Sequence, residues 1–286
     1  MNDRLLKLLD ERSITIQEYN LLEQVGHSYW HSNILRNGEP VAGGFGPTKN
    51  ESRKIAYAEY LERTSFLKIK NSAVEVRKSW GMDLISTGCG FAAGFDLRNT
   101  ILRSIGEALE RWTLSKWIDE DYKLNQLTKI ETMPNLDPVS KWFVEQFEDV
   151  IFFEKSLAIG YGNQFYRYQI GVSVAVCKTG VFIGSSSQVN DGSVWQHALL
   201  ESYRHFLMNK NSKPTNLFPD NKVRFFATNK DVAFSQIFKE KIHKWQDPQI
   251  SFHRNEHFKD QDFFLSRTII NGWRPWNLGP IERFLY

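Results

Sequence analysis

The sequence predicts an α+β fold with an internal duplication, its β-sheets packed by helices that carry acidic motifs. Three observations predict it. The cluster "AEYLER" (Ala58–Arg63) returns as "GEALER" (Gly106–Arg111) and, in part, as "LESYRH" (Leu200–His205), each in a segment of helical character. The stretch "QFYRYQIGVSVAVCKTGVFIGSSSQ" is β-branched and aromatic, and Lys178-Thr179-Gly180 marks a hairpin turn within it. No linker rich in Pro, Gly or Ser divides the 286 residues, so one intertwined domain is expected over 1–286.

The elements follow in order. Residues 2–27 read as helical, with Leu5, Leu8, Leu9, Ile14 and Ile16 among charges, which sets a helical segment (1–35) ahead of a core (36–286). "RNGEPVAGGFGPT" (Arg36–Thr48) reads as a loop, because Asn-Gly, two prolines and further glycines break regular structure. Ser52 is a candidate cap for the helix through Arg63. "SAVEVRKSW" reads as a short strand, and "STGCGFAAGFD" as a small-residue loop leading into a second helix through Trp112. Residues 114–147 are mixed and helical in parts. A third helix is expected from about Ser193 to Met208, and "FFLSRTIINGW" is a strand candidate.

Composition narrows the function. With 41% hydrophobic and 24% charged residues the chain reads as a soluble globular protein, and a net charge of +3 is too weak to argue for nucleic acid or membrane. The charged start "MNDRLLKLLDERS" lacks the apolar run of a signal peptide, so a cytoplasmic location with reduced Cys89 and Cys177 is expected.

Helical spacing sets what the acids can do. Glu59 and Glu62, like Glu107 and Glu110, lie three apart, on one face about 5–6 Å apart at Cβ. Such pairs repel unless a cation sits beside them. Arg63 and Arg111 follow directly, and Mg²⁺ with phosphate oxygens suits the same oxygen ligands. Spacing alone also allows a bland reading. In the second helix Ile101, Leu102, Ile105, Leu109 and Trp112 form an apolar stripe, and Arg103, Glu107, Glu110 and Arg111 oppose it as a solvated face would. In the first helix Ile55 falls among the acids, which suggests a partly covered face. In the third, His197, Glu201 and Arg204 form a narrow polar arc.

These motifs resemble the YcaO family. "AEYLER" is similar to its first E-x-x-E-R helix, and "STGCGFAAGFDLRNTILRSIGEALER" to its long second motif. "IGSSSQVNDGSVWQHALLESYRHF" resembles the third, and "SRTIINGWRPWNLG" the closing strand and loop. The resemblance spans about Pro40 to Gly279 and implies a YcaO-like fold that binds ATP and Mg²⁺ without a P-loop; the chain has no G-x-x-x-x-G-K-[ST]. It implies that Glu59, Glu62, Glu107, Glu110 and Glu201 are metal and nucleotide ligands, and that Arg63 and Arg111 orient them, reach phosphate or simply close each helix by a salt bridge. Ser104 matches a polar position of the motif and is a cofactor-binding candidate on that ground, with a plain helix-surface serine as the alternative. Ser185, Ser186 and Ser187 either line the nucleotide or form a turn. The implied chemistry activates a peptide backbone amide, giving an azoline, thioamide or amidine. The implied partners are a precursor peptide, an E1-like leader-binding or TfuA-like protein, and a second copy in a homodimer.

Two departures open an alternative. Arg204 stands where the family usually has glutamine, a fixed cation that either contacts phosphate as part of the cofactor site, displaces a metal or marks weakened nucleotide binding, and "GPIERFLY" lacks the P-x-P-x-P tail of many azoline-forming members. A degenerate scaffold that binds peptide or a partner without catalysis, or an accessory to protein or ribosome modification, is therefore the rival expectation. "HRNEH" (His253–His257) matches the zinc pattern H-x-x-E-H, but its flanks do not read as a helix and no third ligand is evident, so it is read as a surface histidine pair. Cys89 is read as a small packing residue.

Overall fold

A computed structural model describes residues 14–23, 26–127, 136–189, 194–211 and 218–284. They fall into two compact units, each assembled from two segments of chain: 1–104 with 254–267, and 105–253 with 268–286.

The first unit opens with a sheet of strands β1 (Ile14–Asn20), β2 (Trp30–Arg36) and β3 (Glu39–Gly46), antiparallel in that order. The helical reading is therefore corrected over 14–20. "ITIQEYN" alternates in burial with the period of a strand, the signature of one face on a core. Residues 1–13 of that expected helix lie outside the described residues. The expected loop over 36–48 is corrected too. Asn37 (φ 54°) and Gly38 (φ 82°) form a tight two-residue hairpin turn, and "GGFG" continues as strand. A glycine is required at 44, because a Cβ there would stand 2.2 Å from Ser52 O and Ala56 N of the covering helix.

That helix, α1 (Lys49–Lys70), is capped by Thr48, whose side chain accepts from Glu51 N; Ser52 is not the cap but lies buried, bonded to Ser32. Tyr57, Tyr60 and Leu61 of α1 join Ile14, Ile34, Phe91 and Leu265 in one core. Glu59 and Glu62 are half-buried, so the acidic face is partly covered, although Ile55 itself is 45% exposed. "SAVEVRKSW" is corrected from strand to helix α2 (Val74–Ser79), which lies between turns and buries no residue. Strand β4 (Phe91–Gly94) pairs antiparallel with β10 (Phe263–Ile270), with β9 (Ile250–Phe258) on β10's other side. Helix α3 (Leu97–Asp119) passes from this unit into the next.

The second unit is built on strands β5 (Asn125–Leu127), β6 (Asp149–Tyr161), β7 (Gln164–Val176) and β8 (Val181–Val189), in that order. The Lys178–Gly180 turn joins β7 to β8 as expected, and Ser185–Ser187 are strand, not turn. Helices α4 (Pro138–Val144), α5 (Trp195–Asn211), α6 (Phe218–Phe226) and α7 (Lys230–Ile237) complete it. Val172, Val174, Val181, Ile183 and Phe226 centre its core. Among the described residues, no helix is long and apolar enough to cross a membrane.

Helix α5 lies close on β8. A Cβ at Gly184 would stand 2.0 Å from Ala198 O and 2.5 Å from Ser202 N, closer than real contacts allow. Gly184→Ala is therefore expected to cost about 3 kcal/mol or more, as overpacking of a close backbone contact does. Chemical unfolding of the variant measures this; an unchanged midpoint would contradict the packing.

Candidate functional site

One serine organises the acidic residues of the second unit. Ser185, on β8, donates its hydroxyl to Glu110 Oε1 at 2.7 Å, and its backbone N–H to Glu201 Oε2 at 2.7 Å. Arg111 reaches both acids, with Nη1 3.7 Å from Glu110 Oε1 and Nη2 3.7 Å from Glu201 Oε1. Those separations exceed hydrogen-bond length, so the guanidinium acts through its charge.

The close approach begins at the first letter of "GEALER". A Cβ on Gly106 would lie 2.7 Å from Ser187 Oγ and 3.1 Å from Tyr168 Cε1. Glycine there lets α3 lie against β7 and β8. One turn later Glu110 meets Ser185. The solvated-face reading of Glu110 is thereby corrected: it is 7% exposed, and the helix around it is buried at Ile105, Ala108, Leu109 and Trp112.

Burial pushes the Glu110 carboxyl up to about 7, with Glu201 and Glu107 adding to the rise and Arg111 and the Ser185 hydroxyl opposing it. Burial acts the same way on Glu201, but Arg111, His205 and the Ser185 amide outweigh it and hold Glu201 below the usual carboxylate range. The two acids thus hold their protons unequally. His205 is held below the usual histidine range by burial, with Glu201 opposing, and its Nδ1 is 2.8 Å from Ile183 O.

The first unit repeats this arrangement. Gly43 donates its N–H to Glu59 Oε2 at 3.0 Å, and Arg63 donates to Val41 O at 3.1 Å and pairs with Glu59 Oε1 at 2.5 Å. Each member has a counterpart 142 residues on: Val41 and Ile183, Gly43 and Ser185, Glu59 and Glu201, Arg63 and His205. In both copies the helix side chains satisfy the outward N–H and C=O of an edge strand, as a further strand would. This match places Arg204 opposite Glu62, and His205 opposite Arg63.

The structure therefore brings together Glu110, Arg111 and Glu201, with Glu107 in electrostatic reach of Glu110. Glu59 and Arg63 form their own pair on α1, and Glu62 is half-buried beside them. Ser104 is buried and donates to Gly90 O at 2.8 Å, which ties α3 to the glycine-rich run ahead of β4. Arg204 is exposed on α5 and acts on His205 through its charge. His205, as second clamp, is the site residue that reading by motif missed; Ser185 was read as lining nucleotide or forming a turn, and its place as the hub that joins Glu110 to Glu201 was not foreseen. Aligning "LESYRH" on "AEYLER" would have found His205.

The other candidates separate from this site. Cys89 and Cys177 form no disulfide with each other, and Cys89 is buried as a packing residue is. "HRNEH" lies in β9, where residues four apart stand about 13 Å from each other rather than one helical turn. His257 meets Asp262 and His253 meets Thr268, so the two histidines share no site. Burial holds the His253 imidazole down to about 4. The unfolded chain takes up a proton near pH 6.5, whereas the folded one does so only near 4. Stability is therefore expected to fall as pH drops from about 6.5 to about 4, by about 1–2 kcal/mol after allowance for the ring's partial exposure. Urea unfolding at the two pH values, with His253→Gln as the flattened control, checks this.

No protein-family model matches the chain, and no curated protein matches it. Solved structures do. The chain is similar to the YcaO protein of Methanopyrus kandleri bound with AMPPCP and Mg²⁺, at TM-score 0.56 and 13% identity over 96% of this chain and 91% of that one. It is also similar to a heterocyclase in complex with substrate and cofactor, at TM-score 0.58 and 11% identity over 91% of this chain and 49% of that one. This chain spans about half the length of that heterocyclase. Identities this low establish architecture, and the architecture agrees with the three acidic motifs: the chain has the YcaO fold.

Proposed function

We propose that this protein is an ATP- and Mg²⁺-dependent enzyme that activates a backbone amide of a ribosomally made peptide. The observation that carries the reading is the group of buried Glu110 with half-buried Arg111 and Glu201, its two acids gathered on Ser185, in a chain of this fold.

The residues fit the cofactor in one specific sense. Among the described residues no three His, Cys, Asp or Glu side chains converge on a point where they could hold a metal ion by themselves. Mg²⁺ bound with nucleotide does not need such a cage, because one or two carboxylates plus phosphate oxygens suffice. Glu110 and Glu201 supply those carboxylates, and Arg111, between them, supplies a fixed cation for phosphate. Glu107 adds negative charge beside Glu110. Glu59, held by Arg63, and Glu62 are the acids of the first unit's own motif.

Bound ATP with Mg²⁺ supplies the phosphoryl group that turns the amide oxygen, after a nucleophile has added to the carbonyl, into a phosphate leaving group. The chain's own contribution is alignment and charge. The β8 edge fixes Glu201 through a backbone N–H, and the Ser185 hydroxyl fixes Glu110. The product is an azoline, thioamide or amidine according to the nucleophile. A separate E1-like leader-binding or TfuA-like protein delivers the peptide.

The test is isotopic. A cognate precursor carrying ¹⁸O in the reacting backbone carbonyl is expected to pass the label to inorganic phosphate; label retained in the peptide would contradict amide activation. A second reading, a non-catalytic scaffold, is favoured by Arg204 standing where the repeat carries Glu62. It predicts no nucleotide binding, even with partner proteins present.

A further inference from the structure

A cleft of about 310 Å³ in the first unit is lined by Arg36, Val41, Tyr60, Arg63, Thr64, Phe66 and Leu67. Its walls are apolar apart from two cations and two hydroxyls. Most of the polar groups are already engaged. Arg63 is held by Glu59 and Val41 O, and the Thr64 hydroxyl by Tyr60 O and Leu61 O.

Arg36 and Tyr60 differ. Arg36 Nη2 donates to Tyr60 Oη at 2.6 Å, with the guanidinium carbon 5.6 Å from the ring centroid. Among the described residues Arg36 meets no carboxylate within ion-pair distance, although Glu39 stands opposite it in the β2–β3 register. The Tyr60 hydroxyl accepts from Arg36, and its own proton has no acceptor among the described residues, while the side chain is 2% exposed. Guanidinium and phenol thus meet, and among the described residues no carboxylate pairs with the one and no acceptor takes the proton of the other.

We propose that this cleft binds a carboxylate attached to a branched apolar group. A carboxylate takes a guanidinium and a phenolic O–H together, each bond strengthened by its charge. Val41, Phe66 and the half-exposed Leu67 offer the apolar part a wall beside that anchor. The volume is that of a small ligand site. The proposal stands apart from the nucleotide reading and is measured without nucleotide.

The experiment titrates the whole chain, by calorimetry, with three probes: acetyl-Ala-Leu as its free acid, the same peptide as its C-terminal amide, and 4-methylpentanoate. The free acid is expected to bind saturably and the amide at least tenfold more weakly. Arg36→Met and Tyr60→Phe are each expected to weaken the acid at least tenfold, and Tyr60→Phe keeps the ring that packs the core. Binding of the peptide acid alone assigns a peptide C-terminus, and equal binding of 4-methylpentanoate assigns a small carboxylate; both uphold the proposal. Equal binding of acid and amide, no binding of either acid at millimolar concentration, or unchanged binding in both variants overturns it.

Discussion

Glu110→Gln is expected to lower peptide-dependent phosphate release by about 10²-fold or more while leaving the protein folded, the loss seen when one preorganised electrostatic group is removed. The substitution keeps the shape and an acceptor for the Ser185 hydroxyl, and removes only the charge. A structural carboxylate would behave otherwise. Burial raises this carboxyl, so the charged form is held against a desolvation cost, and neutralising it is expected to leave stability unchanged or higher. Activity and stability therefore move separately. Phosphate release measured beside thermal unfolding checks both, and full activity in the variant would remove Glu110 from the site.

Arg267→Ala is expected to have the largest effect on stability, about 3–5 kcal/mol, or about 10 °C in Tm for a chain of this size. Arg267 is fully buried in β10. It donates to Trp80 O at 2.7 Å, Thr87 O at 3.2 Å, Ile85 O and Met82 Sδ, and lies 4.5 Å over the Phe91 ring. Truncation leaves several buried acceptors without donors and opens a cavity. The clamped segment, 80–87, runs directly into "GCG" and β4. Arg267→Lys is expected to recover little, because a single ammonium cannot span the fork. A Tm within 2 °C of the parent would contradict the clamp.

The β7–β8 hairpin, the three acidic helices and the closing strand were legible in the sequence. In each, the local pattern and the tertiary environment agree: β-branched runs around Lys-Thr-Gly, helices with one apolar arc, and an apolar stretch at β10. Where they disagree, the reading failed. "ITIQEYN" follows the leucine-rich start, and its period of two is short enough to be absorbed into a helix. "GGFG" looked like a loop because glycine is a breaker, yet it is strand because α1 lies too close for a side chain at Gly44. Glu110 fell on the polar arc of its helical wheel. The wheel does not register that β8 covers that arc, and that Gly106 lets it approach.

The acidic motifs themselves acquire two roles. Glu59 and Glu201 each use one oxygen on a strand-edge N–H and present the other to an arginine. The same side chain thus seals a sheet edge and aims a carboxylate, which is a reason for glutamate at that step of the repeat. Arg204 occupies the position of Glu62, and the clamp at Glu201 is completed by His205.

Calorimetric titration of the chain with AMPPCP, with and without Mg²⁺, tests the central claim most directly. The account predicts saturable binding that requires Mg²⁺ and is lost in Glu201→Gln and Arg111→Met. Absence of binding with partner proteins present, or binding unchanged in both variants, would contradict it.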